Sequence, residues 1–352
     1  MSERPEDRRR QRLLLAVAGV LVLAIAGILI AGFVVVFVLP TKEDVVRVND
    51  ARYSRGDMVK IIRVSQTAAD AFGQTFDATK DIFAVLQRLV ENEIIAQTAP
   101  AMGITVTEEE VEADIRFSLE ARGGATAGKD AGQVEREFRE RYGSYLNSLQ
   151  MSEAEHRKVT RQRLLRLRFR QFIGNTVPTV AEQVHLYRLA VPRSGEIDIF
   201  QTKFKDAVGD NTDPEYLRQV VKEISREFSQ DSSTVLRAGG ELGWVPRDIF
   251  PRMEGAFFHL QPGELSEPAP NVDNADQFYF FMVSERDSAR EVAPGHLESL
   301  KEDALQNWLN NERDKHDIFV TFNQEIYLWM IDQLTLTSRV TPEAQSGAPT
   351  GF

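Results

Sequence analysis

From Leu13 to Leu39 the chain carries only apolar and small residues, with no charged or strongly polar side chain. As a helix rising about 1.5 Å per residue this run spans about 40 Å, more than the roughly 30 Å hydrocarbon core of a bilayer. A secretory signal has an apolar core of about 7–15 residues and then a small-residue cleavage site. This run is far longer and ends in Val36-Phe37-Val38-Leu39-Pro40, so residues 13–40 read as an uncleaved membrane anchor. Beyond it the pattern becomes amphipathic. The alternation in residues 45–50, VVRVND, predicts a short strand ending in an Asn-Asp turn. RYSRGDMVKIIRV then opens a helix, with Ser54 or Asp57 as its cap. Ile82, Phe83, Leu86, Leu89, Val90, Ile94 and Ile95 recur at helical spacing and predict a helix over 78–98, stopped by Gly103. Thr107 and Glu110 form a capping box that opens the next helix. A flexible loop over 122–133 leads to two more helices, about 134–147 and about 152–174.

Val177-Pro178 interrupts this helical pattern and predicts a boundary near 176–182. QVHLYRLAV alternates as a strand, and PEYLRQVVKEISREF, 214–228, is an amphipathic helix. A stretch rich in Gly and Pro follows, from Gly239-Gly240 to Pro270. QFYFFMV, 277–283, has the aromatic and β-branched content of a buried strand. Residues 296–316 and 318–334 return to helix, and 337–352 read as a disordered tail. A helical first half followed by mixed strands and helices predicts an α+β protein of more than one domain.

Charge adds an orientation. Arg4, Arg8, Arg9, Arg10 and Arg12 outweigh Glu3, Glu6 and Asp7, so residues 1–40 are net positive while the whole chain is −11. The positive-inside rule then places residues 1–12 in the cytoplasm and 41–352 outside, on a single-pass protein of the cell membrane. The acidic balance argues against nucleic acid as a partner. With no cysteine, the chain has no disulfide, thiolate-metal or thiol-nucleophile chemistry. The five histidines are scattered, without metal-binding spacing, so no cofactor and no metal is expected. The dense basic run from His156 to Arg170 is an anion-facing patch or a solvated helix face with Leu164, Leu165, Leu167 and Phe169 turned inward.

Residues 226–268 carry the F-S-x-D motif as Phe228 to Asp231, then Gly239-Gly240-x-Leu242-Gly243-Trp244, an apolar helix, and Pro262-Gly263-Glu264-x-Ser266-x-Pro268. This order of motifs resembles the parvulin-type (PpiC, rotamase) peptidyl-prolyl isomerases. VVRVNDARYSRGDMV and LVENEIIAQTAPAMGITVTEEEV are similar to the N-terminal chaperone region of SurA- and PrsA-like foldases. The resemblance is specific over about 226–286 and looser over 41–335. It implies an anchor at 13–40, a SurA-N-like helical domain at 41–176 completed by C-terminal helices at 291–336, and a parvulin-like domain at 180–290.

By the same resemblance Ile249, Met253 and Phe258 fall where the family lines its proline pocket, and Asp231 falls at its Cys/Asp position. Both family histidines are replaced. Laying QVHLYRLAV on the pattern puts Arg188 at the first position; a second register uses 196–204 as the strand and offers Phe200 to Thr202. Tyr279 takes the second position. His185 is near the first position but on the opposite strand face, since side chains alternate. Arg188 shares a face with Val184, Leu186 and Ala190, where a charge needs a partner, plausibly Asp231, unless the arginine snorkels at a strand edge. Prolyl isomerisation breaks no covalent bond; it needs an apolar proline pocket and polar groups that favour the twisted amide. The resemblance therefore implies a membrane-anchored extracytoplasmic foldase that binds unfolded or exported polypeptides. Its isomerase activity is expected to be weak; a fully active isomerase and a non-catalytic membrane adaptor are the alternatives.

Overall fold

The computed structural model describes residues 23–32, 34–71, 73–120, 130–193 and 197–338. The basic flank, the first part of the expected anchor, most of the 122–133 loop and nearly all of the tail lie outside these residues. Residues 23–32 are helical (α1) and expose Leu23, Ile25, Ile28, Leu29 and Ile30. Among the described residues no helix is long and apolar enough to cross a membrane. The remainder is mixed α and β, mostly helical, and divides into two compact units: residues 1–169 with 309–352, and residues 170–308.

The first unit holds a three-stranded antiparallel sheet in the order β2 (Ala51–Ser54), β1 (Asp44–Val48), β7 (Ile318–Val320). Asn49 turns the first hairpin at φ 53, a left-handed conformation that asparagine tolerates. Residues 318–320 correct the expectation of one helix over 318–334. Ile318, Phe319 and Val320 pair with Val48, Arg47 and Val46, because an aromatic and β-branched run satisfies its backbone on the open edge of β1. Helix α12 starts only at Gln324 and runs to Ser338. The C-terminal segment thus completes the sheet begun by residues 44–54.

Helix α2 (Arg55–Ala71) begins in a reciprocal cap: Asp57 N–H donates to Ser54 Oγ at 3.2 Å, and Ser54 N–H to Asp57 Oδ2 at 2.9 Å. Both candidate caps are used. Helix α3 (Ala78–Thr98) buries Ile82, Leu86, Leu89, Val90, Ile94 and Ile95, while Phe83 stays 55% exposed. Gly103, at φ 75, ends the turn that follows it. The Thr107–Glu110 box caps α4 (Glu108–Glu120), and α5 (Ala131–Leu149) and α6 (Glu153–Gly174) follow.

Arginines of α6 find acidic partners: Arg157 and Arg161 meet Glu108, Arg163 meets Asp114, Arg166 meets Glu91 and Arg168 meets Glu110. The basic run is therefore a paired helix face. Leu165 and Phe169 are buried beneath it, but Leu167 is 53% exposed, because the arginines on either side of it already pair across that face.

Glu93 sits 7% exposed at the centre of this unit. Its carboxylate accepts from Tyr53 Oη, from Gln162 Nε2 at 2.8 Å and from Gln97 Nε2 at 2.9 Å. Desolvation and the neighbouring carboxylate hold the Tyr53 hydroxyl well above its ordinary pKa, so it remains a donor. Glu93→Ala leaves these buried donors without an acceptor and is expected to cost about 2–3 kcal/mol, read as a lower urea midpoint. Glu93→Gln should recover only part of the loss, since its amide half cannot accept.

The second unit is built on an antiparallel sheet in the order β4 (Glu241–Pro246), β3 (Val180–Pro192), β6 (Gln277–Glu291), β5 (Ala269–Pro270). Alternation along β3 and β6 sorts their side chains. Tyr187, Leu189, Val191, Phe280 and Met282 pack on one face against α7 (Ile197–Val208) and α8 (Pro214–Phe228). Val184, Leu186, Ala190, Tyr279, Phe281 and Val283 pack on the other with Phe257 and Phe258, at the end of α10 (Glu254–Phe257). Residues 197–208 form a helix, which removes the second register for the first histidine position. Phe200, Phe204 and Val208 lie on one side of that helix and are buried, a spacing of 3.6 rather than 2.

Candidate functional site

Arg188 lies mid-strand in β3, between Leu186 and Ala190 on the α10 side of the sheet. Its predicted partner is brought to it by the end of α8. Ser229 closes that helix, Ala190 N–H donates to Ser229 Oγ at 3.1 Å, and Gln230 N–H donates to the Ala190 carbonyl at 2.7 Å. The next residue is Asp231. Arg188 Nε donates to Asp231 Oδ2 at 2.7 Å and Nη2 to Oδ1 at 2.8 Å, a bidentate fork. The Asp231 side chain is 3% exposed and that of Arg188 is 16% exposed. The guanidinium carbon stands 4.5 Å from the ring centre of Tyr279, within cation–π range. The three residues that sequence reasoning grouped, Arg188, Asp231 and Tyr279, are thus one contact cluster, and Arg188 is a partnered core cation rather than a snorkelling edge.

Gly240 makes room for this. Gly240 has φ 87, and a Cβ there would come within 3.1 Å of the Arg188 carbonyl. Its own carbonyl accepts from Arg188 N–H at 2.8 Å. Any side chain would push β4 away from β3 and unsettle the arginine. Burial works against the Arg188 charge, but the hydrogen bonds and charge of Asp231 outweigh it and hold its pKa above the ordinary arginine value. Burial also raises the Tyr279 hydroxyl, against the opposing pull of Arg188. Asp231 accepts a further bond from Ser232 N–H at 2.6 Å, so both of its oxygens are engaged.

The apolar candidates lie on the same sheet face. Ile249 and Met253 are half-buried against the cluster that contains Tyr279 and Ala190. Phe258 is different: it is 4% exposed, with the Arg247 guanidinium 3.9 Å above its ring. It lines a cavity of about 470 Å³ together with Asp248, Pro251, Glu254 and His259. Leu242 and Phe250 share the half-buried surface with Ile249 and Met253 and were missed. Leu242 sits at the bulge of β4 opposite the Leu186–Tyr187 step, so simple strand alternation could not have assigned it to this face. Among the described residues no group of three or more His, Asp or Glu side chains is placed to hold a metal ion.

His185 sits on the other face, as the alternation required. Its Nδ1 is 2.9 Å from Ser284 Oγ and its Nε2 is 3.1 Å from Glu241. Tyr187 and Trp244 meet its ring edge-on. Burial lowers its pKa below the usual 6.5 despite the upward pull of Glu241. A depressed histidine pKa means the unfolded chain takes up the proton first. The stability it contributes is therefore present above pH 6.5 and is lost as pH falls through 6.5 toward the folded value. Cooling of the melting temperature between pH 7.5 and 5.5 should be smaller in His185→Gln than in the unaltered chain.

Residues 8–170 match the SurA-like N-terminal domain. The chaperone SurA of Ralstonia nicotianae is 32% identical over 112 residues, covering 29% of this chain and 22% of that protein. The chaperone SurA of Nitrosospira multiformis is 29% identical over 155 residues, covering 40% of this chain and 32% of that protein. The chain thus spans between about a fifth and a third of the length of these curated relatives. Among solved structures, the peptidylprolyl isomerase PrsA of Bacillus anthracis aligns over 73% of this chain and 98% of its own, at 15% identity and a TM-score of 0.34. A SurA-like chaperone of Campylobacter jejuni aligns over 80% of this chain and 99% of its own, at 13% identity and a TM-score of 0.29. What the match over residues 8–170 shows is that this chain carries a SurA-like N-terminal domain.

Proposed function

We propose that this chain is a membrane-anchored extracytoplasmic foldase that holds unfolded or newly exported polypeptides. The observation that carries the reading is the SurA-like N-terminal domain over residues 8–170. Exposed apolar side chains in the same unit support it. Phe117 is 72%, Phe319 49% and Leu328 50% exposed, and Phe83 stands 5.1 Å from Phe322 and 6.2 Å from Tyr327. Apolar surface of this kind suits contact with unfolded chains. In this reading residues 180–290 are a parvulin-like domain that binds proline segments over Leu242, Ile249, Phe250 and Met253. Isomerase turnover is weak, because an arginine and a tyrosine stand where the resemblance expects histidines. Residues 13–40 anchor the chain with its C-terminal part outside.

The test is aggregation of an unrelated denatured protein, followed by light scattering, with the full chain in detergent at several-fold molar excess. Delayed scattering is the expected result. No delay, together with co-purification of one defined partner, would favour a membrane adaptor instead. Orientation is read separately from Ser346→Cys, a single thiol in a chain without cysteine. An impermeant thiol reagent should label it in intact cells, and protection until lysis would reverse the topology.

A further inference from the structure

The Arg188 fork leaves one arm of the guanidinium over. Nε and Nη2 are spent on Asp231, whereas Nη1 has no hydrogen-bond partner among the described residues and is not among the buried unsatisfied atoms. That arm belongs to a side chain fixed on two sides, by the carboxylate in its plane and by the Tyr279 ring against its face. We propose that Nη1 of Arg188 is the donor that anchors a backbone carbonyl of the bound proline peptide, with Asp231 and Tyr279 as positioning residues. This rests on the proline-binding reading above and deepens it.

A neutral carbonyl fits better than a carboxylate. Asp231 cancels the formal charge of Arg188, so the pair offers an oriented N–H rather than a net positive field. The remaining charge near it is Asp273, which precedes β6 and has an acidic side chain exposed to solvent. Its sign discourages an anion at the same place. The groups in contact with Arg188 are Asp231 after α8 and Tyr279 on β6, and the charge of Asp273 before β6 also acts on it. None is a histidine. Histidine is the side chain whose ordinary pKa falls inside the neutral range. His185 faces the opposite side of the sheet, and His259 borders the separate cavity beside Phe258. Binding at this site should therefore be insensitive to pH between roughly 5.5 and 8.5, a range over which an imidazole-based site changes its protonation.

The experiment measures Kd of the full chain in detergent for the blocked neutral peptide acetyl-Ala-Ala-Pro-Phe-amide, by NMR titration at pH 5.5, 7.0 and 8.5. The unaltered chain should bind with a Kd constant to within about twofold across this range. Arg188→Gln combined with Asp231→Asn keeps the pair neutral and hydrogen-bonded, which guards the fold, yet removes the charged donor. It should weaken binding by about tenfold, the loss of one hydrogen bond from a charged group. Arg188→Lys should also weaken binding, because a lysine cannot hold the fork and offer a fixed third donor together. Tyr279→Ala removes the ring that holds the guanidinium and should weaken binding as Arg188→Lys does. A double variant that folds and binds with unchanged Kd overturns the assignment of Arg188. A Kd that shifts several-fold through pH 6–7 also overturns it, because it shows that a titrating group and not Arg188 anchors the peptide. If the unaltered chain binds no proline peptide at any pH, the proline-binding reading itself fails, a result distinct from both of these.

Discussion

Asp231→Ala is expected to destabilise the unit of residues 170–308 by about 3–5 kcal/mol, the usual cost of stripping one partner from a buried ion pair. The side chain it abandons is an arginine 16% exposed, held against the Tyr279 ring on the sheet face. Arg188→Ala should cost at least as much. It strands a carboxylate 3% exposed, whose remaining hydrogen-bond donor is Ser232 N–H. The two effects must not add. Once either partner is gone the other is already uncompensated, so Arg188→Met with Asp231→Leu should be far less damaging than the sum of the single changes. Denaturant unfolding followed by tryptophan fluorescence reads this, since Trp244 lies in β4 of the same unit. Single variants within about 1 kcal/mol of the unaltered chain would show that the pair is a solvent-screened contact rather than a buried one.

Much of the architecture was legible because periodicity and burial agree. The helix over 78–98 begins and ends where its apolar spacing begins and ends, and its Asp77 side chain accepts from Thr79 N–H as a cap. The capping boxes at Ser54–Asp57 and Thr107–Glu110 both form. The pairing of Arg188 with Asp231 followed from a single consideration, that a charge on the face of Val184, Leu186 and Ala190 needs an anion. What failed did so where local composition suits two structures. EIDIFQTKF alternates enough to pass for a strand, but Phe200 and Phe204 pack on α8 and Phe280 as helical neighbours. IFVTF could continue a helix, yet the free edge of β1, some 270 residues earlier in sequence, captures it. No local signal reports a partner that distant. Phe258, placed in a pocket by resemblance, is 4% exposed under Arg247 and beside Phe257, and it also lines the cavity next to His259.

These two readings of the site, an intact fold and an altered polar cluster, meet in one experiment. Arg188→His with Tyr279→His should raise prolyl isomerase turnover by a factor within about 10²–10⁴, the range for well-placed acid–base and hydrogen-bonding groups. The geometry allows it. Imidazole Nε2 lies as many bonds from Cβ as guanidinium Nε does, so a histidine at 188 can reach the Asp231 oxygen that Nε now holds at 2.7 Å. Asp231 would then orient the imidazole in one tautomer. At 279 the ring already sits on the same face, next to the diagonal position of Arg188 across β3 and β6, with Ala190 directly opposite. Arg188→His alone should do less, because members of such a cluster act together. The double variant should also acquire a pH dependence near 6–7 that the unaltered chain lacks, since two imidazoles replace groups that do not titrate there. The rate of cis-to-trans exchange in a proline peptide, followed by exchange NMR, measures both effects. A folded double variant with no gain would mean that the peptide bond does not lie over Arg188. An unaltered chain that already turns over quickly would instead make Asp231 and Tyr279, with the Arg188 donor, sufficient for the reaction.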